Sequence, residues 1–222
     1  MLFPMTDDEK IARDWINAVE RNRVREADIY PQLKDWVHQI SATDILDVGC
    51  GQGICSDKID LGLRNYTGID LSPILIDRAK QLYNPENRHF LTGSIYDLPF
   101  SDNSFDAVFS VNLWHLLADL RKASAELSRV LRAKGNFRII TANPNAYSLW
   151  TGLYTDTKTD SCCFEGKVRL ADQSVVREIL YLHTLEDIAR SLEDAGMQIL
   201  EVEEFRKSSN SQKQYVSIRG KK

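Results

Sequence analysis

The feature that most constrains the fold of this 222-residue chain is a glycine-rich turn at residues 45–53, with the sequence ILDVGCGQG. A short apolar run, interrupted only by Asp47, leads into three glycines at alternate positions. This pattern predicts a buried strand that ends in a turn where a ligand can approach the backbone closely. Residues 54–59 can then open a helix whose N-terminal amides favour electronegative groups.

A second apolar strand, residues 66–69, leads directly into Asp70. A carboxylate at the tip of this strand can accept hydrogen bonds from a ribose diol. A dinucleotide fingerprint, G-x-G-x-x-G, would need a further glycine where this chain has Ile54 or Ser56. The glycine turn and Asp70 therefore predict a site for a nucleoside that is not a dinucleotide.

From Thr43 onward, segments with strand and helix patterns alternate. Alternation of this kind predicts a parallel sheet with right-handed crossovers, helices on both faces and ligands at the carboxyl ends of the strands. The predicted strands are residues 44–48, 66–70, 89–92, 107–110 and 136–141, and the predicted helices between them are 54–59, 73–82 and 120–131. The remaining predictions are a polar loop over 151–166, an inserted β-hairpin over 167–183, a helix that Thr184 caps, and strands at 198–205 and 214–219.

Two further helices are predicted ahead of this core, over residues 7–24 and 27–40. Pro31 favours a start of the second helix at that position. Trp15 and Trp36 lie at helical spacing from apolar neighbours, so they either pack the helices onto the sheet or help to enclose a bound molecule. We favour core packing for both.

The segment from Asp47 to Gly53 resembles the first motif of the class I S-adenosylmethionine-dependent methyltransferases, in which an acid precedes G-x-G-x-G. Residues 93–100 and 101–106 resemble that family's G-D-A-x-x-L-P-F segment and the D-x-S-F-D entry to the next strand. The resemblance is specific over residues 43–131 and covers the remainder only by topology.

The resemblance implies an α/β fold with a Rossmann-like, seven-stranded, mostly parallel sheet in the order 3-2-1-4-5-7-6 and helices on both faces. It also implies an N-terminal helical cover over residues 1–42 and a methyltransferase domain over residues 43–222. An insertion at about residues 147–183, after the fifth strand, holds the predicted β-hairpin. Family members commonly place substrate specificity in such insertions.

The same resemblance implies a site for S-adenosylmethionine and its product S-adenosylhomocysteine. The implied cofactor-binding residues are Asp47, Gly49, Gly51, Gly53, Asp70, Leu71, Ser94, Ile95 and Val111. Ser94 stands where the family has an acid that accepts a bond from the adenine amine, so a neutral bond replaces a charge-assisted one. The Ile95 amide is then expected to contribute more, and Asp97 is either a substitute acceptor or the start of a turn.

Four polar residues, Asn22, Arg23, Arg25 and Tyr30, lie between the two N-terminal helices. In the resembling family an N-terminal extension often folds over the cofactor. One of these side chains is therefore expected to reach the cofactor carboxylate or the substrate.

The loop after the fourth strand carries the candidate catalytic base. In the resembling family this loop lies near the transferred methyl group and a histidine near its end is common, which here is His115. A histidine before two leucines is also typical of a packed residue, so both roles stay open. Trp114 fits an acceptor pocket or the core equally well. The four histidines lack ligand spacing, so no metal site is predicted.

The composition indicates the compartment and excludes some partners. A formal charge of -4 with pI near 5.6 argues against general affinity for nucleic acid. No apolar run reaches the roughly 18 to 20 residues of a membrane span, and residues 1–9 do not resemble a secretion signal. We therefore expect a cytoplasmic protein. The four cysteines, at positions 50, 55, 162 and 163, are expected as free thiols because none has C-x-x-C spacing.

The predicted function is transfer of a methyl group from S-adenosylmethionine to an oxygen, nitrogen or carbon nucleophile of a small molecule by in-line displacement. Such an enzyme must hold the nucleophile, exclude water, and remove a proton when the nucleophile is a hydroxyl. Two alternatives remain: a methyltransferase acting on protein or RNA, and a non-catalytic member of the fold that binds the cofactor or serves as a partner protein.

Overall fold

The computed structural model describes residues 16, 25–83, 86–152, 154–160, 162–169, 175–205 and 213–222. The predicted helix over 7–24 lies outside these residues, apart from Ile16, which is helical. A π-helical turn, Arg25–Ile29, leads directly into the first helix, α1. The helices are α1 (Tyr30–Gln39), α2 (Cys55–Lys58), α3 (Pro73–Leu82), α4 (Leu120–Val130), α5 (Tyr147–Thr151) and α6 (Leu185–Asp194).

The main sheet has seven strands in the order β3-β2-β1-β4-β5-β10-β9. Its strands are β1 (Asp44–Val48), β2 (Asn65–Asp70), β3 (Arg88–Thr92), β4 (Phe105–Val111), β5 (Leu131–Ala142), β9 (Gln198–Phe205) and β10 (Tyr215–Lys221). The first five are parallel, and β10 is antiparallel to both β5 and β9. Since β9 and β10 are the sixth and seventh strands of this sheet, the predicted order 3-2-1-4-5-7-6 is confirmed.

The inserted segment forms a separate antiparallel sheet of three strands, β6 (Thr155–Thr159), β7 (Cys163–Arg169) and β8 (Val175–Tyr181). The pair β7–β8 is the predicted hairpin. The prediction of a loop over 151–166 is wrong where the chain forms β6 and the start of β7. All five residues of β6 are exposed, so this strand lacks the apolar alternation that would have indicated it.

Local signals account for several boundaries. Ser72 caps α3 by accepting a hydrogen bond from the Leu75 amide at 3.4 Å, and Pro73 occupies the first turn. Thr184 and Asp187 form a complete capping box at α6, as predicted. The start of β5 differs from prediction, because the strand begins at Leu131, immediately after α4, and not at residue 136.

The apolar residues form two clusters on opposite faces of the sheet. On one face α1 buries Leu33, Trp36 and Val37, and the Trp36 ring meets Phe109 edge-on at 6.3 Å between centroids. The expected core packing of Trp36 is therefore confirmed. Within the ranges that the structure describes, no helix has the length and apolar character needed to cross a bilayer.

Candidate cofactor and acceptor site

The glycine loop that follows β1 is held against the end of β2. The amides of Gly49 and Cys50 donate to the Ile69 carbonyl at 2.8 and 3.1 Å. Gly49, Gly51 and Gly53 adopt φ values of +75°, +56° and +77°, a region that side chains with a Cβ disfavour. The predicted glycines are therefore required by the backbone path of the loop.

Packing around the loop gives a second reason for two of these glycines. A Cβ at Gly53 would lie 2.6 Å from Cε1 of Phe90, and a Cβ at Gly49 would lie 3.1 Å from Cδ2 of Leu113. Phe90 comes from β3, and Leu113 follows β4. The loop is thus enclosed by the neighbouring strand ends, as expected for the carboxyl edge of a doubly wound sheet.

Asp70 joins the tip of β2 to the glycine loop. Its Oδ2 accepts a hydrogen bond from the Gly51 amide, and its Oδ1 accepts one from the Ser72 amide, both at 2.9 Å. Burial raises the pKa of Asp70, while the amides of Ser72, Gly51 and Leu71 oppose that rise. Each carboxylate oxygen retains acceptor capacity, so Asp70 can organise the loop and still bind a diol. The side chain of Leu71 beside it is exposed.

Asp47 lies beneath the loop, with 1% of its surface exposed. Tyr66 Oη donates to Asp47 Oδ2 at 2.5 Å. Burial raises the pKa of Asp47 to about 7, and the bond from Tyr66 lowers it in part. Among the described residues, Asp47 Oδ1 is buried without a hydrogen-bond partner, which marks it as an acceptor available to a ligand.

The segment after β3 forms a tight turn. Ser94 Oγ accepts a hydrogen bond from the Tyr96 amide at 3.1 Å, and the Asp97 amide donates to the Ser94 carbonyl at 3.2 Å. The side chain of Ile95 is buried and Asp97 is exposed. The serine hydroxyl therefore stabilises the turn, while it keeps one further lone pair and its proton for a ligand.

Two residues of α4 fix the other end of this segment, and the sequence analysis missed both. Glu126 Oε2 accepts from the Leu98 amide at 2.7 Å. Arg129 donates to the carbonyls of Leu98 and Phe100 at 2.9 and 2.6 Å and forms an ion pair with Glu126. Helical spacing of an acid and a base is so common on exposed helices that no sequence signal distinguishes this pair.

The end of β4 turns sharply beside the glycine loop. Asn112 adopts φ +58°, which asparagine tolerates better than most residues, and its amide donates to the Ile140 carbonyl at 2.7 Å. In the described part of the chain, Asn112 Oδ1 is a buried acceptor that no hydrogen bond satisfies. Val111 before it is buried. The turn thus presents a strained, polar residue at the carboxyl edge of the sheet.

His115 lies at this edge, in a short 3₁₀ turn over Trp114–Leu116. Its Nδ1 is 3.1 Å from Thr141 Oγ1 at the end of β5. Burial, and to a smaller extent the charge of Arg25, lower the pKa of His115 to about 4. At neutral pH the imidazole is therefore uncharged and can accept a proton. Trp114 is wholly buried and donates to Ser110 Oγ at 2.9 Å, so it belongs to the core.

The inserted sheet reaches the same edge through a small aromatic group. The Tyr181 ring, at the end of β8, stacks on His183 with 6.0 Å between centroids. His183 Nε2 lies 2.6 Å from the Leu117 carbonyl, and Tyr147 Oη donates to the Tyr181 carbonyl at 3.0 Å. These contacts place the insertion beside the loop that carries His115.

All four cysteines are free thiols. The thiols of Cys162 and Cys163 and the Asp160 carboxylate lie within 4.8 Å of one another. Asp160 Oδ1 accepts from both cysteine amides at 2.8 Å, so the grouping forms a hydrogen-bonded turn between β6 and β7.

Comparison with known proteins agrees with this geometry. Residues 46–139 match the family model described as a methyltransferase domain. A fatty-acid O-methyltransferase from Mycolicibacterium smegmatis is 36% identical over 102 residues, which are 45% of this chain and 37% of the relative. A phthiotriol/phenolphthiotriol dimycocerosates methyltransferase from Mycobacterium tuberculosis is 33% identical over 108 residues, 48% of this chain and 40% of that protein. The matched segments thus span about two fifths of these curated relatives.

Among solved structures, an S-adenosylmethionine-dependent methyltransferase from Clostridium acetobutylicum superposes with a TM-score of 0.71 at 16% identity. The match covers 94% of this chain and 98% of that structure. The fold is accordingly that of the class I methyltransferases, for which S-adenosylmethionine is the implied donor. Residues 46–139 match the methyltransferase-domain family model, so the predicted resemblance is confirmed.

Proposed function

We propose that this chain binds S-adenosylmethionine at the carboxyl edge of its sheet and transfers the methyl group to a small-molecule acceptor, with S-adenosylhomocysteine as the product. The observation that carries the proposal is the junction of Asp70 with the Gly51 amide. That contact brings a carboxylate suited to a diol and a glycine-rich loop into one site.

The residues of the site fit the chemistry of this donor. Asp70 supplies acceptors for a ribose diol, with Leu71 beside it. Ser94 and Ile95 lie in the turn expected to face the adenine. In the chain this turn lies between Asp70 and the segment that Glu126 of α4 holds at Leu98. Gly49, Gly51 and Gly53 allow the left-handed backbone path of the loop. Asp47 beneath the loop offers a buried oxygen that has no partner among the described residues, for the amino-acid end, and Val111 at the end of β4 is the remaining expected contact.

His115 is the proposed general base. When bound, the donor supplies a methyl group already activated by the sulfonium, so the chain must only align the acceptor, exclude water and take up a proton. If Nδ1 of His115 donates to Thr141 Oγ1, Nε2 is left as the proton acceptor. The imidazole is neutral at physiological pH, so this nitrogen carries no proton before the reaction, and its low pKa makes it a weak base until the acceptor is bound.

A small, apolar acceptor is favoured over a macromolecule. The net charge of -4 provides little attraction for RNA. The relatives named above include one that acts on fatty acids, and the aromatic group of Tyr147, Tyr181 and His183 offers an apolar rim beside His115. The division into a cover over residues 1–42 and a domain over residues 43–222, and a cytoplasmic location, belong to the same proposal.

The test has two stages. Isothermal titration with S-adenosylmethionine and S-adenosylhomocysteine should show one site per chain, and no binding would refute the proposal. Transfer of a radioactive methyl group to a panel of fatty acids and phenolic lipids should then label one class of acceptor. Binding without transfer to those acceptors, to protein or to RNA would favour the alternative of a non-catalytic cofactor-binding protein.

A further inference from the structure

Two cysteines and an aspartate lie together in the turn between β6 and β7. The ligand atoms of Asp160, Cys162 and Cys163 all lie within 4.8 Å of one another, and among the described residues this is the only group of three potential metal ligands so close together. The three residues lie outside the segment that matches the methyltransferase family, residues 46–139. They are also absent from the cofactor and acceptor site described above.

The local backbone explains why two adjacent cysteines can face the same point. In a strand, adjacent side chains point to opposite faces, which would separate the two thiols. Here β7 begins only at Cys163, and Cys162 still belongs to the turn. Asp160 Oδ1 accepts hydrogen bonds from both cysteine amides at 2.8 Å, which fixes the turn. The turn therefore brings together side chains that strand geometry would keep apart.

The polar atoms of the three side chains converge. Cys162 Sγ lies 3.2 Å from Asp160 Oδ1, and Cys163 Sγ lies 3.5 Å from Asp160 Oδ2, so both thiols are placed to donate their protons to the carboxylate. A divalent cation can replace these two protons and bind both sulfurs and Oδ2. Oδ1 would stay bonded to the amides, and hydrogen bonds of this kind orient a carboxylate that binds a metal.

The donor atoms select a class of cation. Thiolates are soft ligands, whereas Mg²⁺ and Ca²⁺ prefer oxygen ligands. Zn²⁺ binds thiolate sulfur at about 2.3 Å and carboxylate oxygen at about 2.0 to 2.2 Å, in a tetrahedral arrangement. Sulfur and oxygen ligands of one Zn²⁺ are therefore roughly 3.5 to 3.7 Å apart. The distance of 3.5 Å between Cys163 Sγ and Asp160 Oδ2 already meets this requirement.

We propose that Cys162, Cys163 and Asp160 form a binding site for Zn²⁺ in the turn between β6 and β7. The two cysteines bind as thiolates and release their two protons to solvent, and Asp160 binds through Oδ2. Three protein ligands leave a fourth position for water. Cys162 and Asp160 are exposed, so the ion needs no path through the protein. The inference goes beyond the proposed function and does not depend on it.

The zinc site also fastens the turn to the end of β8. The Leu182 amide donates to the Cys162 carbonyl at 2.9 Å, and Cys163 pairs with Tyr181 across the strands. The Tyr181 ring in turn stacks on His183. A ligand that binds only the ordered turn makes local opening rarer, so zinc stabilises this end of the inserted sheet.

The test uses the reduced full-length protein after a chelator has removed bound metals. Titration with Zn²⁺ in competition with a chromophoric chelator should show one ion bound per chain. Cd²⁺, used as a probe, should produce a thiolate-to-metal charge-transfer band in the ultraviolet. Zn²⁺ should also protect Cys162 and Cys163 from alkylation by iodoacetamide, as measured by mass spectrometry. The buried Cys50 and Cys55 serve as internal references, since they should stay unlabelled with or without the ion.

Three variants make the test specific. Asp160→Asn keeps an oxygen for the two cysteine amides but removes the carboxylate, so Zn²⁺ affinity should fall by at least about tenfold. Replacing Cys162 and Cys163 together with serine should abolish both the binding and the Cd²⁺ band. Asp156→Asn is the matched control, because Asp156 is an exposed acid of β6 that pairs with Lys167, and asparagine tolerates its φ of +50°. Its Zn²⁺ affinity should equal that of the native protein.

The outcomes decide the assignment. A native protein that binds no Zn²⁺, or a double serine variant that binds it as tightly, overturns the site. Equal losses in Asp156→Asn and Asp160→Asn would mean that the ion responds to general negative charge, which also overturns it. Hydrogen exchange at the Leu182 amide should slow when Zn²⁺ is added, and unchanged exchange would overturn the stabilisation of the inserted sheet. None of these measurements uses S-adenosylhomocysteine, so their failure leaves the proposed function standing.

Discussion

The carboxylate of Asp70 accepts a hydrogen bond from the amide of Gly51 at 2.9 Å, across 19 residues of sequence. This contact makes the second strand a support for the loop that follows the first. Replacing Asp70 with alanine should therefore remove the proposed ribose acceptor and loosen the loop together. We expect binding of S-adenosylhomocysteine to weaken by about 1 to 3 kcal/mol, as measured by titration calorimetry. Unchanged affinity would exclude Asp70 from the site.

Gly53→Ala should destabilise the protein more than Gly196→Ala. Both glycines have nearly the same backbone angle, φ +77° and +79°, so both substitutions carry similar left-handed strain. Only at Gly53 does the added Cβ approach a neighbour, Phe90, whereas nothing lies within 4 Å at Gly196. Urea denaturation should show a further loss of about 1 to 3 kcal/mol for Gly53→Ala. Equal losses would mean that the Phe90 contact is relieved without cost.

The His115 imidazole should titrate near pH 4, which NMR can follow at its Cε1 proton, with His115→Gln used for assignment. Arg25→Gln should raise this pKa, because the charge of Arg25 contributes to lowering it. His115→Gln should leave binding of S-adenosylhomocysteine intact and slow methylation of a hydroxyl acceptor by about 10²- to 10⁴-fold. Unaltered turnover would show that His115 is not the base.

Asp47→Asn should alter how stability depends on pH. In the folded protein the pKa of Asp47 is about 7, well above the value of about 4 in an unfolded chain. Between these values the folded state holds a proton that the unfolded state has released, so this group makes the free energy of unfolding fall as pH rises.

His115 has the opposite effect on the free energy of unfolding over a similar pH range. Its folded pKa of about 4 lies below the unfolded value of about 6.5, so its contribution to stability grows as pH rises. In the native protein the contributions of Asp47 and His115 to the pH dependence of stability therefore cancel in part. Urea denaturation between about pH 4 and 7 should give a steeper rise of stability with pH for Asp47→Asn than for the native chain. Parallel curves would contradict the raised pKa of Asp47.

Arg129→Lys should weaken the turn that contains Ser94 and Ile95. A lysine cannot donate to the Leu98 and Phe100 carbonyls while it also pairs with Glu126 in the same geometry. The expected cost is about 1 to 2 kcal/mol of stability, with weaker binding of S-adenosylhomocysteine. Arg190→Lys is the control, since Arg190 pairs with Glu186 on the exposed face of α6 and its replacement should change little. If both substitutions had similar effects, the conclusion that Arg129 stabilises this turn would be wrong.

Sequence patterns predicted the bounds of helices and strands wherever the signal was local. The bounds of α3 were predicted fully because Ser72 caps the helix and Pro73 opens it, and those of β1 because its apolar run ends at a glycine. Strand β6 escaped prediction because its exposed residues carry no apolar period.

The same distinction between local and long-range signals applies to the candidate site residues. The glycines and Asp70 follow from spacing along the chain. The clamp by Glu126 and Arg129 and the burial of Arg25 depend on contacts between distant segments, which no local pattern reports. Trp114 illustrates the limit, since its complete burial and its bond to Ser110, both seen only in the structure, assign it to the core.

Phe90 also contacts a second glycine, because a Cβ at Gly68 would lie 2.9 Å from its Cδ1. One ring thus fills the space beside Gly53 of the loop and beside Gly68 of β2. Positions 53, 68 and 90 are consequently coupled: a smaller residue at 90 should reduce the cost of a Cβ at either glycine, while Cys50 still limits position 68 and the left-handed φ still limits position 53. A redesign of the loop should therefore begin at residue 90, with the glycines altered in a later round.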